Sequence, residues 1–212
     1  MLRIKVKTDF RKSKAGDVFD PCGMFPICVV GSNGCGKSSL FQALRGFKND
    51  QNSKTLFVSD FKKLAENIEV EHDYEKMFFY DSVKDDGNNF MVSYDAMEFY
   101  NSGGFHTKEK SHGETSLISF DIFLNKIIKD IVPNKTLLVL DEMDKGFSFA
   151  NMVLYSKLLY GLTRKYNVDV IAITHNPFTM LQTHLVYDFE SKEIVKSNEY
   201  IKKIGNLEIK FL

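Results

Sequence analysis

A chain of 212 residues with 43% hydrophobic content can bury a substantial core, and its length suits one folding unit with a small inserted lobe. Twenty-eight basic residues balance 28 acidic ones, which removes any global argument for the counterion-release binding of a strongly basic nucleic-acid partner. No apolar run approaches the roughly 20 residues that span a bilayer, and the charged start Met-Leu-Arg-Ile-Lys-Val-Lys is not signal-like. The chain therefore reads as cytoplasmic, with no transmembrane segment of its own.

Leu2, Ile4 and Val6 alternate with Arg3, Lys5 and Lys7, the period of an antiparallel strand with one buried and one wet face. Residues 12–20 hold a Gly-Asp turn, and residues 25–30 form a short apolar strand that ends at Gly31. From Ser38 the pattern is helical, with Leu40, Phe41 and Leu44 on one side and Gly46 available as a stop. Residues 49–53 read as polar linker, 55–59 as a strand, 61–67 as a short helix and 77–80 as another strand. Residues 83–112 are rich in turn formers. Leu117, Phe120, Leu124, Ile127, Ile128 and Ile131 then fall at helical spacing, and Pro133-Asn134 ends that helix before the apolar strand 136–140. Residues 152–166 predict a second amphipathic helix, 168–173 a further strand, and 185–189 with 193–195 a closing antiparallel hairpin. Helices alternating with wholly apolar strands imply a buried, mainly parallel sheet.

Residues 31–39, Gly31-Ser32-Asn33-Gly34-Cys35-Gly36-Lys37-Ser38-Ser39, lie between a predicted strand and a predicted helix. In such a loop glycines let successive backbone N–H groups converge on phosphate oxygens, while the helix presents its positive end to the same anion. Lys37 reaches the terminal phosphates, and the Ser38 hydroxyl ligates the magnesium ion that bridges them. Cys35 is one of three cysteines, with Cys22 and Cys28; their odd number and spacing fit free thiols better than a disulfide or zinc site. A thiol at a helix amino end also invites redox control.

Two further strands end in chemistry. Leu137-Leu138-Val139-Leu140 delivers Asp141 and Glu142 at its carboxyl end, where parallel-sheet sites lie. Asp141 suits magnesium, and Glu142 suits the general base that polarises an attacking water. Val170-Ile171-Ala172-Ile173-Thr174 ends at His175, placed to touch the terminal phosphate or hold the water. His72, His106 and His184 have no such context. Phe10 and Phe19, upstream of the loop, serve either as an adenine platform or as core.

The order of phosphate loop, Ser-x-Gly-Glu segment, Asp-Glu strand and strand ending in His resembles the ATP-binding cassette ATPases, and the likeness covers most of the chain. It implies a P-loop NTPase of α/β class: a mainly parallel sheet, an antiparallel β subdomain and a small, partly helical lobe. One domain would run over residues 1–212, with residues about 60–132 forming the lobe that carries the signature segment. The resemblance implies Mg-dependent hydrolysis of ATP, with ATP and Mg2+ sandwiched between two subunits. The Ser111 hydroxyl and the Gly113 backbone, within Ser111-His112-Gly113-Glu114, would then complete the partner subunit's site in trans. The same four residues also read as an ordinary helix N-cap. Departures are Lys110 and His112 where transporters carry Leu and Gly, and Asp81-Ser82 where the family's metal-linking glutamine would stand. Asp81 is a weaker metal candidate, and Asp144 takes the subunit-crossing role after Glu142.

These departures look more like the soluble, SMC/RecF-like branch than a transporter subunit. The leading expectation is a soluble ATPase that homodimerises around ATP and switches a protein or nucleic-acid partner. One alternative is the ATP-binding subunit of a membrane transporter, with residues 83–110 docking on the membrane partner. Another is an ATP-controlled DNA-binding or repair protein that uses Arg3, Lys5, Lys7, Arg11, Lys12 and Lys14 as a basic stripe.

Overall fold

A computed structural model of the chain describes residues 1–48, 58–82, 112–131, 134–145 and 147–205. In the smaller of its two sheets, β1 (Leu2–Val6) lies between β2 (Val18–Phe19) and β4 (Ile68–His72), antiparallel to both. The alternation of β1 is realised residue by residue: Leu2, Ile4 and Val6 are buried while Arg3 and Lys5 are exposed. Register sets Arg3 opposite Glu71 and Lys5 opposite Glu69. The part of the basic stripe on β1 thus faces acidic residues on the neighbouring strand, and Arg3 reaches Glu71 at 3.9 Å.

The larger sheet has six strands in the order β5 (Lys76–Asp81), β6 (Thr136–Asp141), β7 (Val168–Ile173), β3 (Ile27–Val30), β8 (Leu185–Asp188) and β9 (Glu193–Lys196). All neighbours are parallel except β8 and β9, which form the expected hairpin. Both faces of this sheet are covered. Leu137, Val139, Ile171 and Ile173 join Ile27 and Val29 against the small sheet and α1 (Lys37–Phe47). Leu138, Leu140, Val168 and Val170 turn the other way, toward Phe120, Leu124, Ile127 and Ile131 of α3 (His112–Ile131) and Tyr155, Leu159 and Leu162 of α4 (Phe149–Lys165). Cys28, Val30, Ala172 and Val186 extend that face beneath Met180 of α5 (Pro177–Thr183), with Tyr200 and Ile201 of α6 (Ser197–Gly205) beside them. Period 2 in each strand therefore divides its side chains between two apolar layers.

Several expectations need correction. Val58 and Ser59 open α2 (Val58–Ala65), whereas a strand was expected there; residues 55–57 lie outside the described residues. Gly46 does not stop α1, which continues to Phe47. Its lack of a side chain serves packing: a Cβ there would stand 2.0 Å from the Phe61 carbonyl oxygen of α2. β2, β4, α5 and α6 add to the elements expected from sequence. β4 and β5, both inside residues 60–132, the stretch expected to form a smaller lobe of the one domain, are built into the two sheets. The turn-rich stretch 83–111, with His106, Lys110 and Ser111, lies outside the described residues, as does Pro133.

Candidate nucleotide-binding site

Because β5, β6, β7 and β3 are parallel, their carboxyl ends share one edge. Register puts Asp81 beside Asp141, Asp141 beside Ile173, and Ile173 beside Val29. The loop 31–36, Glu142, Thr174 and His175 all leave the sheet from that row. Distant parts of the sequence meet there: the Ser38 hydroxyl donates to Asp141 Oδ1 at 3.2 Å.

The loop owes its shape to glycine. Gly31, Gly34 and Gly36 have φ of 140°, 74° and 112°, which L side chains rarely adopt. Gly36 is also the N-cap of α1 and supplies no side-chain cap, and the first turn carries no acidic residue. The other two helices with described caps differ. Ser148 accepts from the Asn151 N–H at the start of α4, and Asn176 accepts from the Phe178 N–H at the start of α5. The α1 terminus has no such internal acceptor for its leading N–H groups, as an anion site requires. Lys37, only 5% exposed, turns its ammonium into the loop, donating to the carbonyls of Gly31 at 2.8 Å and Ser32 at 2.9 Å. The Cys35 sulfur is 3.6 Å from the same ammonium.

Glu142 follows Asp141 in the left-handed region, at φ 50°, a costly conformation for a residue with a side chain. Its N–H donates to the Ile173 carbonyl at 2.9 Å, which ties it to the strand that carries His175. Its carboxylate is half-buried and 3.4 Å from Lys145. Partial desolvation, then Lys37, hold the His175 imidazole below the ordinary histidine range, while Glu142 and Asp144 pull the other way. His175 is thus neutral at neutral pH and can accept or donate a hydrogen bond.

Asp144 turns inward. Its Oδ2 accepts from the hydroxyls of Thr174 and Thr179, each at 2.6 Å. His112, Gly113 and Glu114 form the first turn of α3, where the amino end of a helix was expected. Asp81 is buried at its place in the row. Phe10 and Phe19 both belong to the buried core, and Phe19 packs edge-on against Phe41 and Tyr187. Arg11, which the sequence marks only as part of a basic stripe, donates to the Ser39 hydroxyl at 2.9 Å. Ser32 donates to Glu190, and Lys145 pairs with Glu142; neither partner gave a sequence signal, because each is exposed and generic in type. Cys22, Cys28 and Cys35 are free, and burial pushes the Cys28 thiol up to about 12, leaving it inert.

The donor set at the junction, a hydroxyl and a carboxylate, is the hard oxygen chemistry that magnesium takes, with phosphate and water completing its shell. Ser38 and Asp141 would hold it.

No protein-family model matches the chain. In sequence it is 25% identical over 207 residues to the energy-coupling factor transporter ATP-binding protein EcfA3 of Clostridium perfringens, across 84% of this chain and 72% of that protein. It is 21% identical over 199 residues to the zinc import ATP-binding protein ZnuC of Buchnera aphidicola subsp. Baizongia pistaciae, across 86% of this chain and 81% of that one. Among solved structures, a chain of an inward-facing metal-chelate type ABC transporter superposes with a TM-score of 0.54 at 18% identity, covering 93% of this chain and 83% of that chain. CbiO1 of Clostridium perfringens, part of the ABC transporter complex cbiONQ, superposes at 0.53 with 17% identity, covering 98% and 95%. The fold is therefore that of the ATP-binding cassette ATPases, a P-loop NTPase with a mixed sheet. EcfA3 and ZnuC are ATP-binding proteins of transporters, not members of the soluble SMC/RecF-like branch, so the preference for that branch is not supported.

Proposed function

We propose that this chain is an ATP-hydrolysing subunit that works on a membrane partner in the manner of a transporter's ATP-binding protein. The observation that carries the ATPase half is the 3.2 Å meeting of Ser38 and Asp141 beside an uncapped helix terminus. The named relatives, EcfA3 and ZnuC, carry the transporter half. In this reading the loop N–H groups and Lys37 bind the phosphates, exchanging the ammonium's bonds to Gly31 and Ser32 for phosphate oxygens. Ser38 and Asp141 would hold magnesium, and the charge neutralisation that phosphoryl transfer needs is what the ion would supply there. Glu142 accepts the proton of the attacking water, and His175, neutral, orients that water or the terminal phosphate. The first turn of α3, which holds Gly113, would close the site of a second ATPase subunit, a copy of this chain or a homologue, and Ser111, outside the described residues, would act with it. Among the described residues no helix is long and apolar enough to cross a membrane.

The test has two arms. Purified protein hydrolyses ATP only with magnesium, and Glu142→Gln abolishes turnover while ATP binding persists and the subunits associate on gel filtration. Unchanged turnover in Glu142→Gln would sink the ATPase reading. In cells, the tagged chain sediments with membranes only when a transporter's membrane-spanning subunits are present with it; distribution indifferent to them would sink the transporter reading.

A second reading rests on one observation: Lys110-Ser111-His112-Gly113-Glu114 departs from the transporter signature. It favours an ATP-driven dimer that switches a soluble protein or nucleic-acid partner. Stimulation of turnover by DNA, falling steeply with salt, is its distinguishing sign.

A further inference from the structure

Asp144 is a buried carboxylate, 9% exposed, that no step of the proposed hydrolysis uses. One of its oxygens, Oδ2, receives two hydroxyl hydrogens, from Thr174 at the end of β7 and from Thr179 in α5. Both threonines are themselves buried. Thr174 makes a second bond: its oxygen accepts the N–H of Asn176 at 2.9 Å. A hydroxyl has one hydrogen and two lone pairs. With its hydrogen committed to Asp144, Thr174 presents a lone pair to Asn176, and the residue spanned by that short loop is His175. Asn176 then caps α5 through the Phe178 N–H, and α5 returns Thr179 to Asp144. The circuit closes on itself around His175, an exposed residue whose imidazole feels the charges of Lys37, Glu142 and Asp144.

We infer that Asp144 is a positioning residue. Through Thr174 it fixes the backbone of His175, and so couples the loop that carries Glu142 to the histidine at the end of the neighbouring strand. This replaces the subunit-crossing role expected for Asp144, since its carboxylate is already held by two internal donors. The inference rests on the ATPase reading for its kinetic readout only.

Asparagine is the discriminating substitution, because its amide oxygen can replace Oδ2 as acceptor for both hydroxyls while the charge is lost. In Asp144→Asn, kcat stays within about threefold of wild type. In Asp144→Ala and in the near-isosteric Thr174→Val, kcat falls by about tenfold or more, on the scale of a lost buried hydrogen bond to a charged group. KM for ATP stays within about twofold, since the phosphate loop is untouched. In a His175→Ala background the Asp144→Ala change costs nothing further, because there is no imidazole left to position. An equal loss with and without His175, a KM effect as large as the kcat effect, or full activity in Thr174→Val would each overturn the inference. A magnetic-resonance measurement separates it from the ATPase reading. The His175 ring signals, recorded at about pH 9, where the imidazole is neutral with or without the Asp144 charge, and identified by their loss in His175→Ala, shift in Thr174→Val and hold their place in Asp144→Asn. Ring signals unmoved in a folded Thr174→Val protein would refute the positioning role whether or not ATP is hydrolysed. A wild-type protein without turnover but with the expected ring shifts would sink the ATPase reading and leave Asp144 as argued.

Discussion

The two sheets are made of similar strands and do different work. β1 and β4 spend their exposed positions on matched charges, Arg3 opposite Glu71 and Lys5 opposite Glu69, so the wet face of the small sheet closes on itself electrostatically. β6 and β7 expose almost nothing along their length; apart from Thr136 and Asp169 at their starts, their polar residues lie at or just past the carboxyl ends, at Asp141, Glu142, Thr174 and His175. A strand buried on both faces can carry chemistry only at its tips; one with a wet face spreads its polar groups where no other element converges on them. Substitutions at the tips of the large sheet should therefore change function with little effect on stability, and those on the small sheet the reverse.

The largest effect expected is at Glu142. Glu142→Gln keeps shape and removes the base, so kcat falls by about 100- to 10,000-fold while the melting temperature holds. A small loss would shift the base to another group and break the contrast at its strongest point. Next comes Lys37→Ala, which removes a charge-assisted donor at the loop and weakens ATP binding by about 100-fold in fluorescent-nucleotide titration. Affinity within a few fold of wild type would mean that the loop N–H groups alone hold the phosphates.

How far the contrast is legible in the sequence follows from the range of each signal. The phosphate loop is local, nine consecutive residues with their strand and helix, and it lies between β3 and α1 as the sequence pattern predicts. The tips at Asp141 and His175 are legible because an apolar run ending in a charged group carries its own punctuation. β4 has the same alternation as β1, with Ile68 and Val70 against Glu69 and Glu71, yet only its pairing with β1 gives that pattern meaning. Asn176-Pro177 is a cap followed by proline at the first helical position, a start signal too short to stand out beside the strand before it. Phe10 and Phe19 could not be assigned from sequence, since core and adenine platform demand the same residue type. Gly46 reads as a stop in one dimension and as a contact with α2 in three.

On the small sheet the effects are smaller and concern stability. Exchanging the charges of Arg3 and Glu71 preserves the pair, while Arg3→Glu alone sets like charges opposite one another. The single change costs about 0.2–1 kcal/mol in urea unfolding, the exchange recovers most of it, and ATP turnover is the same in all three proteins. Arg3 and Lys5 of the basic stripe are matched in this way, so duplex DNA should leave turnover unchanged. DNA stimulation lost in Lys5→Glu would give the small sheet a function and end the contrast.

The smallest effect lies at the junction between the sheets, where Asp73, just after β4, accepts a 2.7 Å hydrogen bond from Lys135, just before β6. That bond, with a second from the amino terminus, lowers the Asp73 carboxyl from 3.8 to about 2. Lys135 is correspondingly raised above its ordinary value of 10.5 by Asp73. A carboxyl depressed on folding gives stability that is present above its unfolded pKa and lost as pH falls through the folded one. The contribution should therefore be full at neutral pH and fade between pH 3.8 and about 2. On the basic side the sign reverses: a raised lysine gives stability below 10.5 that is lost as pH climbs past its folded value. Asp73 is half-exposed, so solvent screening keeps the whole effect under about 1 kcal/mol. Comparing wild type with Asp73→Asn isolates it from every other titrating group. The gap between their unfolding free energies should be present at pH 7 and vanish near pH 2; a gap constant across that range would assign the contact to packing instead of charge.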